Sequence, residues 1–127
     1  MENDILSARD WLKKAGEDIA VAEHLLKTSE FYADVCFHCQ QAAEKSLKAV
    51  LVYYREVPRK IHLLKKLLND CLKYDDSLKS LVPDLEMLDK LYIPTGYPFK
   101  VSFTKEKSED AIKAAKIVME KIREKIK

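Results

Sequence analysis

Apolar residues recur every three or four positions along most of this chain, and the places where that rhythm stops divide it into helical stretches. From about Asp4 to Lys27, the residues Ile5, Ala8, Trp11, Leu12, Ala15, Ile19, Ala22 and Leu26 share one side of a helix. Asp4 is placed to cap it, and Gly16 weakens it locally without a second break signal. Thr28 and Ser29 interrupt the rhythm, with Ser29 able to cap the next helix. From Glu30 to about Arg55 the pattern is apolar on more than one side. At about 100° per residue, Val35, Cys36, Cys39, Ala43, Ser46, Leu47, Val50 and Tyr54 gather in one arc. Phe37 and Val52 lie opposite, among Gln41, Lys45 and Lys48. A helix apolar on two sides touches two partners, and a second copy of the chain is the expected one.

Val57-Pro58-Arg59 ends that helix, because proline lacks an N–H and disfavours helical geometry just before it. A third helix is predicted from about His62 to Tyr74, with Leu63, Leu64, Leu67, Leu68 and Cys71 inward. Asp75-Asp76-Ser77 makes a turn, and a fourth segment carries Leu78, Leu81, Leu85, Leu88 and Leu91 to about Tyr92. Pro83 kinks or restarts it. Ile93 to Phe103, with Pro94, Gly96, Pro98 and the aromatic pair Tyr97 and Phe99, reads as an irregular loop longer than a bundle needs. Thr104 or Ser108 starts the last helix, with Ala111, Ala114, Ala115, Val118, Ile122 and Ile126 as its stripe. The pattern is that of one helical bundle in a single domain spanning 1–127.

Composition agrees. The 127 residues can bury a core unaided, and 47% hydrophobic with 35% charged residues describes a folded, soluble chain. Two glycines and four prolines leave little for tight hairpins. A net charge of +2 does not diagnose nucleic-acid binding. Abundant Lys and Glu with scarce Asn and Gln suit a thermophilic source as well as an ordinary charged helical surface. The longest apolar run, Ala49 to Tyr54, is far short of the ~20 residues of a membrane span, so no membrane is expected. Three cysteines without a secretion signal point to the cytoplasm and reduced thiols.

Cys36-Phe37-His38-Cys39 raises the question of a metal or redox site. A structural zinc needs about four converging ligands, and no second pair stands at a matching spacing. A redox pair favours a helix N-terminus, whereas these thiols fall mid-helix in the apolar arc. They read as small buried hydrophobes, with no metal and no cofactor.

Polar chemistry lies further along. Gln40, Glu44 and Lys48 follow a four-residue spacing, and Gln41 with Lys45 makes a neighbouring row; the stripe either reads a nucleotide or decorates a helix flank. Around the proline turn, Arg55 ends one helix and His62 begins the next, so both fall at one end of the bundle. A helix N-terminus disfavours added positive charge, which keeps His62 neutral. A neutral imidazole with a guanidinium is the equipment for phosphodiester cleavage without a metal: the imidazole takes a ribose 2′-OH proton, and the arginine stabilises the phosphate. A solvated histidine in a basic loop is the plain alternative.

Several pieces together resemble the HEPN family of small helical bundles. They are Asp10-Trp11-Leu12-Lys13-Lys14-Ala15 with Glu17-Asp18, then Phe37-His38-Cys39-Gln40-Gln41-Ala42-Ala43-Glu44-Lys45 with Leu47-Lys48-Ala49, then His62-Leu63 and Tyr97-Pro98. The resemblance implies an all-α, up-and-down four-helix bundle with an additional short helix or kinked segment. It also implies a homodimer with a groove at its interface, partnered by a minimal nucleotidyltransferase in a toxin–antitoxin-type pair. Ribonuclease members carry Arg, four to six residues, then His, pooled from two subunits; Arg55 and His62 match with six between them. Gln41, Glu44, Lys45, Lys48, Arg59 and Tyr97 are the residues expected at a groove for nucleotide or RNA. A non-enzymatic nucleotide- or partner-binding module is the alternative. Three positions depart from the pattern. Glu56 stands where Asn, Asp or His is usual and weakens RNA binding unless Arg59 or Lys60 neutralises it. Leu64 replaces the tyrosine that some members have modified with AMP, and Gly96 replaces an arginine before the Tyr-Pro pair.

Overall fold

A computed structural model describes residues 7–91 and 102–126, and these form helices α1 (Ala8–Thr28), α2 (Tyr32–Tyr53), α3 (Leu64–Leu72), α4 (Val82–Lys90) and α5 (Lys105–Lys125). A 3₁₀ segment, Asp76–Leu81, runs directly into α4. The architecture is the expected all-α up-and-down bundle with one short extra helix. α2 lies at its centre, bordered by α1, α5, α4 and α3, while α1 meets only α2 and α5 among the described elements. No described helix is long and apolar enough to cross a membrane.

Local chemistry sets each helix end. Asp4 lies outside the described residues, and Ser7 caps α1 in a reciprocal box: its hydroxyl accepts from Asp10 N–H and the Asp10 carboxylate accepts from Ser7 N–H, both at 3.1 Å. These bonds hold the Asp10 carboxyl below its ordinary range. Ser29 closes α1 instead of capping α2 from its side chain: its hydroxyl donates to Leu25 C=O at 2.7 Å. Pro83 restarts rather than kinks the fourth segment, since it occupies the first turn of α4, where its missing N–H costs nothing. Thr104, not Ser108, caps α5, accepting from Lys107 N–H at 3.1 Å. Ser108 is buried one turn on, its hydroxyl shared between Thr104 C=O and Tyr32 C=O.

α3 is shorter than the apolar pattern predicts, and no side chain of its own turn caps it. The cap comes from α4: the Asp89 carboxylate accepts from Leu64 N–H at 2.9 Å and Lys65 N–H at 3.2 Å. This satisfies two of the orphan donors at the α3 N-terminus and puts negative charge at the positive end of its dipole.

Val35, Cys36, Cys39, Ala43, Ser46, Leu47 and Val50 are all buried, as their arc predicts. Tyr54 is not: at the helix end it is 42% exposed. Each fully buried leucine, such as Leu47, Leu67 and Leu85, contributes about 1.5–3 kcal/mol of burial. The three cysteines are free and buried. Burial raises all three thiol pKa values, those of Cys39 and Cys71 to about 12.

Asp89→Ala is expected to lower unfolding stability by about 1–2 kcal/mol, with Asp89→Asn recovering part of the loss. Urea unfolding measures it, and an unchanged midpoint would show that α3 does not depend on this cap. The thiols give a second test. An acid whose folded pKa exceeds its unfolded value keeps its proton in the fold. Its stabilising effect is therefore complete below the ordinary thiol pKa of 9.0 and falls as pH climbs towards about 12. At pH ~8 a disulfide reagent is expected to leave the native protein unlabelled and to modify three thiols after unfolding. Rapid labelling of the native chain would contradict their packing role.

Candidate functional site

The polar residues of α2 divide between its two flanks. On one, His38 and Lys45 both face α1, where the buried Asp18 carboxylate accepts from His38 Nδ1 at 3.0 Å and Lys45 Nζ at 2.6 Å. On the other, Gln40 donates to Leu88 C=O at 2.6 Å, closing a carbonyl in the last turn of α4. Between them sits Glu44, only 6% exposed, which accepts from Lys48 Nζ at 2.8 Å and His62 Nδ1 at 3.3 Å. Lys48 also stands 5.5 Å from the centre of the Trp11 ring. Lys45 therefore ties α2 to α1, Gln40 and Glu44 tie it to α4 and the α2–α3 turn, and Gln41 makes no side-chain bond among the described residues.

Glu44 opens on a cleft of about 550 Å³. Asp34, Phe37, Gln41 and Glu44 line it along one stripe of α2, with His62, Leu64, Asp89, Leu91 and Phe103 from the facing segments. The structure thus brings together three of the expected residues, Gln41, Glu44 and His62. Lys45, Lys48, Arg55 and Arg59 are not among the described lining residues, and Tyr97 lies outside the described residues. The described lining holds the carboxylates Asp34, Glu44 and Asp89 with one imidazole, and neither lysine nor arginine.

His62 is not yet in α3; it lies two residues before it, and its side chain is 65% exposed. A carboxylate can only accept, so the Glu44 contact places a hydrogen on Nδ1, and in the neutral imidazole the lone pair is then on Nε2. That is the tautomer that takes a proton. The helix-dipole argument from sequence missed this carboxylate, because Glu44 lies 18 positions earlier.

Arg55 occupies the turn after α2 with φ at 65°, the left-handed region that favours glycine. The helix ends in a Schellman motif: Glu56 N–H reaches Leu51 C=O at 2.8 Å, and Arg55 N–H reaches Val52 C=O at 2.9 Å. Arg55 is exposed and makes no side-chain bond among the described residues, and no described contact joins it to His62. The turn itself is strapped to α3. Tyr54 stacks on Tyr74 at 4.6 Å, Arg59 holds Asp70 through two bonds of 2.9 and 2.8 Å, and the Glu56 carboxylate accepts from Lys73 Nζ at 2.7 Å and from the Tyr74 hydroxyl. The Lys73 and Tyr74 bonds hold the Glu56 carboxyl below its ordinary range. The neutralising cation is Lys73, where the sequence suggested Arg59 or Lys60. Asp70 keeps the Arg59 guanidinium pKa above its usual value.

A non-glycine residue in this conformation costs of order 1 kcal/mol. Arg55→Gly is therefore expected to raise unfolding stability by roughly 0.5–1 kcal/mol, net of the backbone entropy glycine adds. Chemical denaturation decides it; a destabilised variant would mean that the arginine side chain supports the fold.

The HEPN domain family matches residues 8–125. The chain is 32% identical to a candidate toxin of Methanocaldococcus jannaschii, MJ1304, over 98% of this chain and 91% of that protein. The crystal structure of TT1696 from Thermus thermophilus superposes with a TM-score of 0.81 at 34% identity, covering 93% of this chain and 97% of its own. ST0689, an archaeal HEPN homologue, shares the fold at 23% identity, with a TM-score of 0.79 over 97% of this chain and 100% of its own. With the helix order, the Gln40–Lys48 stretch and this agreement over nearly the whole chain, the protein belongs to the HEPN domain family.

Proposed function

We propose that this HEPN protein is of the toxin–antitoxin type, that a minimal nucleotidyltransferase is its partner, and that it cleaves RNA without a metal as a homodimer. The observation that carries the reading is the Glu44–His62 contact, which leaves imidazole Nε2 available at the mouth of a cleft. His62 takes the proton of a ribose 2′-OH and can return one to the leaving oxygen, while Arg55 stabilises the phosphate. Likeness to a candidate toxin supports the class. Phe37, 53% exposed on the outward side of α2, supports pairing of two copies, which lets one copy's Arg55 serve the other's His62.

A second reading has its own observation. Lys45, Lys48 and Arg59, the cations expected to hold a phosphate, are already bound by Asp18, Glu44 and Asp70. This favours a module that binds a partner protein or a nucleotide without turnover.

Cleavage of a panel of RNAs in excess chelator separates the two. The first reading expects activity that persists without metal and falls about 10²–10⁴-fold in His62→Ala and about 10²–10³-fold in Arg55→Ala. Equal activity of wild type and His62→Ala overturns it. Calorimetric binding of the partner or a nucleotide, with no cleavage of any RNA, establishes the second.

A further inference from the structure

We infer that Tyr53 and Tyr54, beside Arg55 at the end of α2, form a seat for a nucleobase of single-stranded RNA, with Arg55 on the adjoining phosphate. The inference deepens the ribonucleolytic reading and rests on it for the identity of the polymer. Of the eight large apolar side chains left exposed among the described residues, four lie between positions 53 and 63: Tyr53 at 41%, Tyr54 at 42%, Val57 at 83% and Leu63 at 37%. Both tyrosines pack against other rings. Tyr54 lies parallel to Tyr74, with 4° between the ring planes, and Tyr53 stands perpendicular to Tyr54 at 5.2 Å. Neither the Tyr53 nor the Tyr54 hydroxyl has a hydrogen bond among the described residues. A packed aromatic surface suits a flat π-system, and every base offers one.

The charges suit a polyanion rather than a protein surface. Arg55 and Lys60 are exposed and make no ion pair among the described residues. The nearby carboxylates are occupied, Glu56 by Lys73 and Tyr74, Asp70 by Arg59. A backbone phosphate thus meets free cations and neutralised acids, opposite to the carboxylate-lined cleft. The same strap that compensates Glu56 holds the rings in place.

The test uses the full-length His62→Ala protein, which binds without cleaving, and a short fluorescein-labelled oligoadenylate at low salt. Anisotropy is expected to show binding that weakens between about 5-fold and 100-fold on adding Tyr53→Ala and survives Tyr53→Phe. Circular dichroism and the thermal midpoint should stay unchanged. Equal affinity with and without the Tyr53 ring overturns the inference, as does absence of binding by His62→Ala itself. A surface made for a protein partner gives that last result. Cleavage assays keep the two proposals apart. Tyr53→Ala that cleaves with unaltered KM removes the seat and leaves the ribonuclease. Tyr53-dependent binding with a wild type that cuts no RNA removes the ribonuclease and leaves the seat.

Discussion

A carboxylate buried to 6% exposure in the most enclosed helix of a bundle persists only where its charge is matched and its oxygens are bonded; Lys48 supplies the charge to Glu44, and His62 a further hydrogen bond. α2 touches α1, α3, α4 and α5, so its polar side chains have little solvent to turn to and must find partners on those elements. Asp18 draws His38 and Lys45 across to α1, Gln40 reaches the α4 C-terminus, and Glu44 reaches the turn. These fasteners fix the rotation of α2, which the apolar core alone, rich in small residues such as Ala42, Ala43 and Ala49, leaves loosely specified. Removing one partner from such a pair strands the other, at a cost of about 3–5 kcal/mol for a buried site, whereas replacing both with apolar groups costs far less. The polar stretch therefore specifies the arrangement more than it stabilises it.

The turn from Tyr54 to His62 follows a different logic. Its strained residue, Arg55, sits among interactions that over-determine the backbone: the Schellman bonds behind it, the tyrosine stack beside it and the Arg59–Asp70 and Glu56–Lys73 pairs ahead. Strain of this kind survives only where neighbours hold it. A glycine would relieve it. An arginine at a glycine position, with its side chain left free in water, makes sense if the guanidinium is wanted at that place.

The helices were legible in the sequence because burial imposes a period, and Val35 to Val50 carry it plainly. The burial of Cys36 and Cys39 was legible for the same reason, despite a spacing that mimics a metal motif. Helix ends held by their own neighbours were only partly readable. Thr104 and Ser108 were equal candidates, and the structure selects Thr104; Ser7 was missed because Asp4 offered an equally good cap. Ends held from afar were not readable at all. Asp89 caps α3 from 25 positions downstream, and Glu44 orients His62 from 18 upstream; nothing local marks either residue. Of the expected site, Gln41, Glu44 and His62 do share a cleft, since helical spacing and a short turn were enough to bring them there. The sequence could not tell that Lys45 and Lys48 are spent on Asp18 and Glu44, because a Glu–Lys row looks the same whether its charges face water or each other.

That spending bears on where a phosphate can go. Beside Glu44, Asp34 and Asp89, an anion meets carboxylates, and the one lysine in reach of Glu44 is already its partner. Within the turn, Arg55 and Lys60 make no ion pair among the described residues, and no described contact links Arg55 to the imidazole of its own chain. A second copy can offer its Arg55 with the stack on Tyr74 and the two ion pairs left as they are. Pairing two copies leaves each turn intact and supplies guanidinium to imidazole from outside. The strap therefore does not compete with a composite site; it is what would let a rigid arginine be offered to a neighbour.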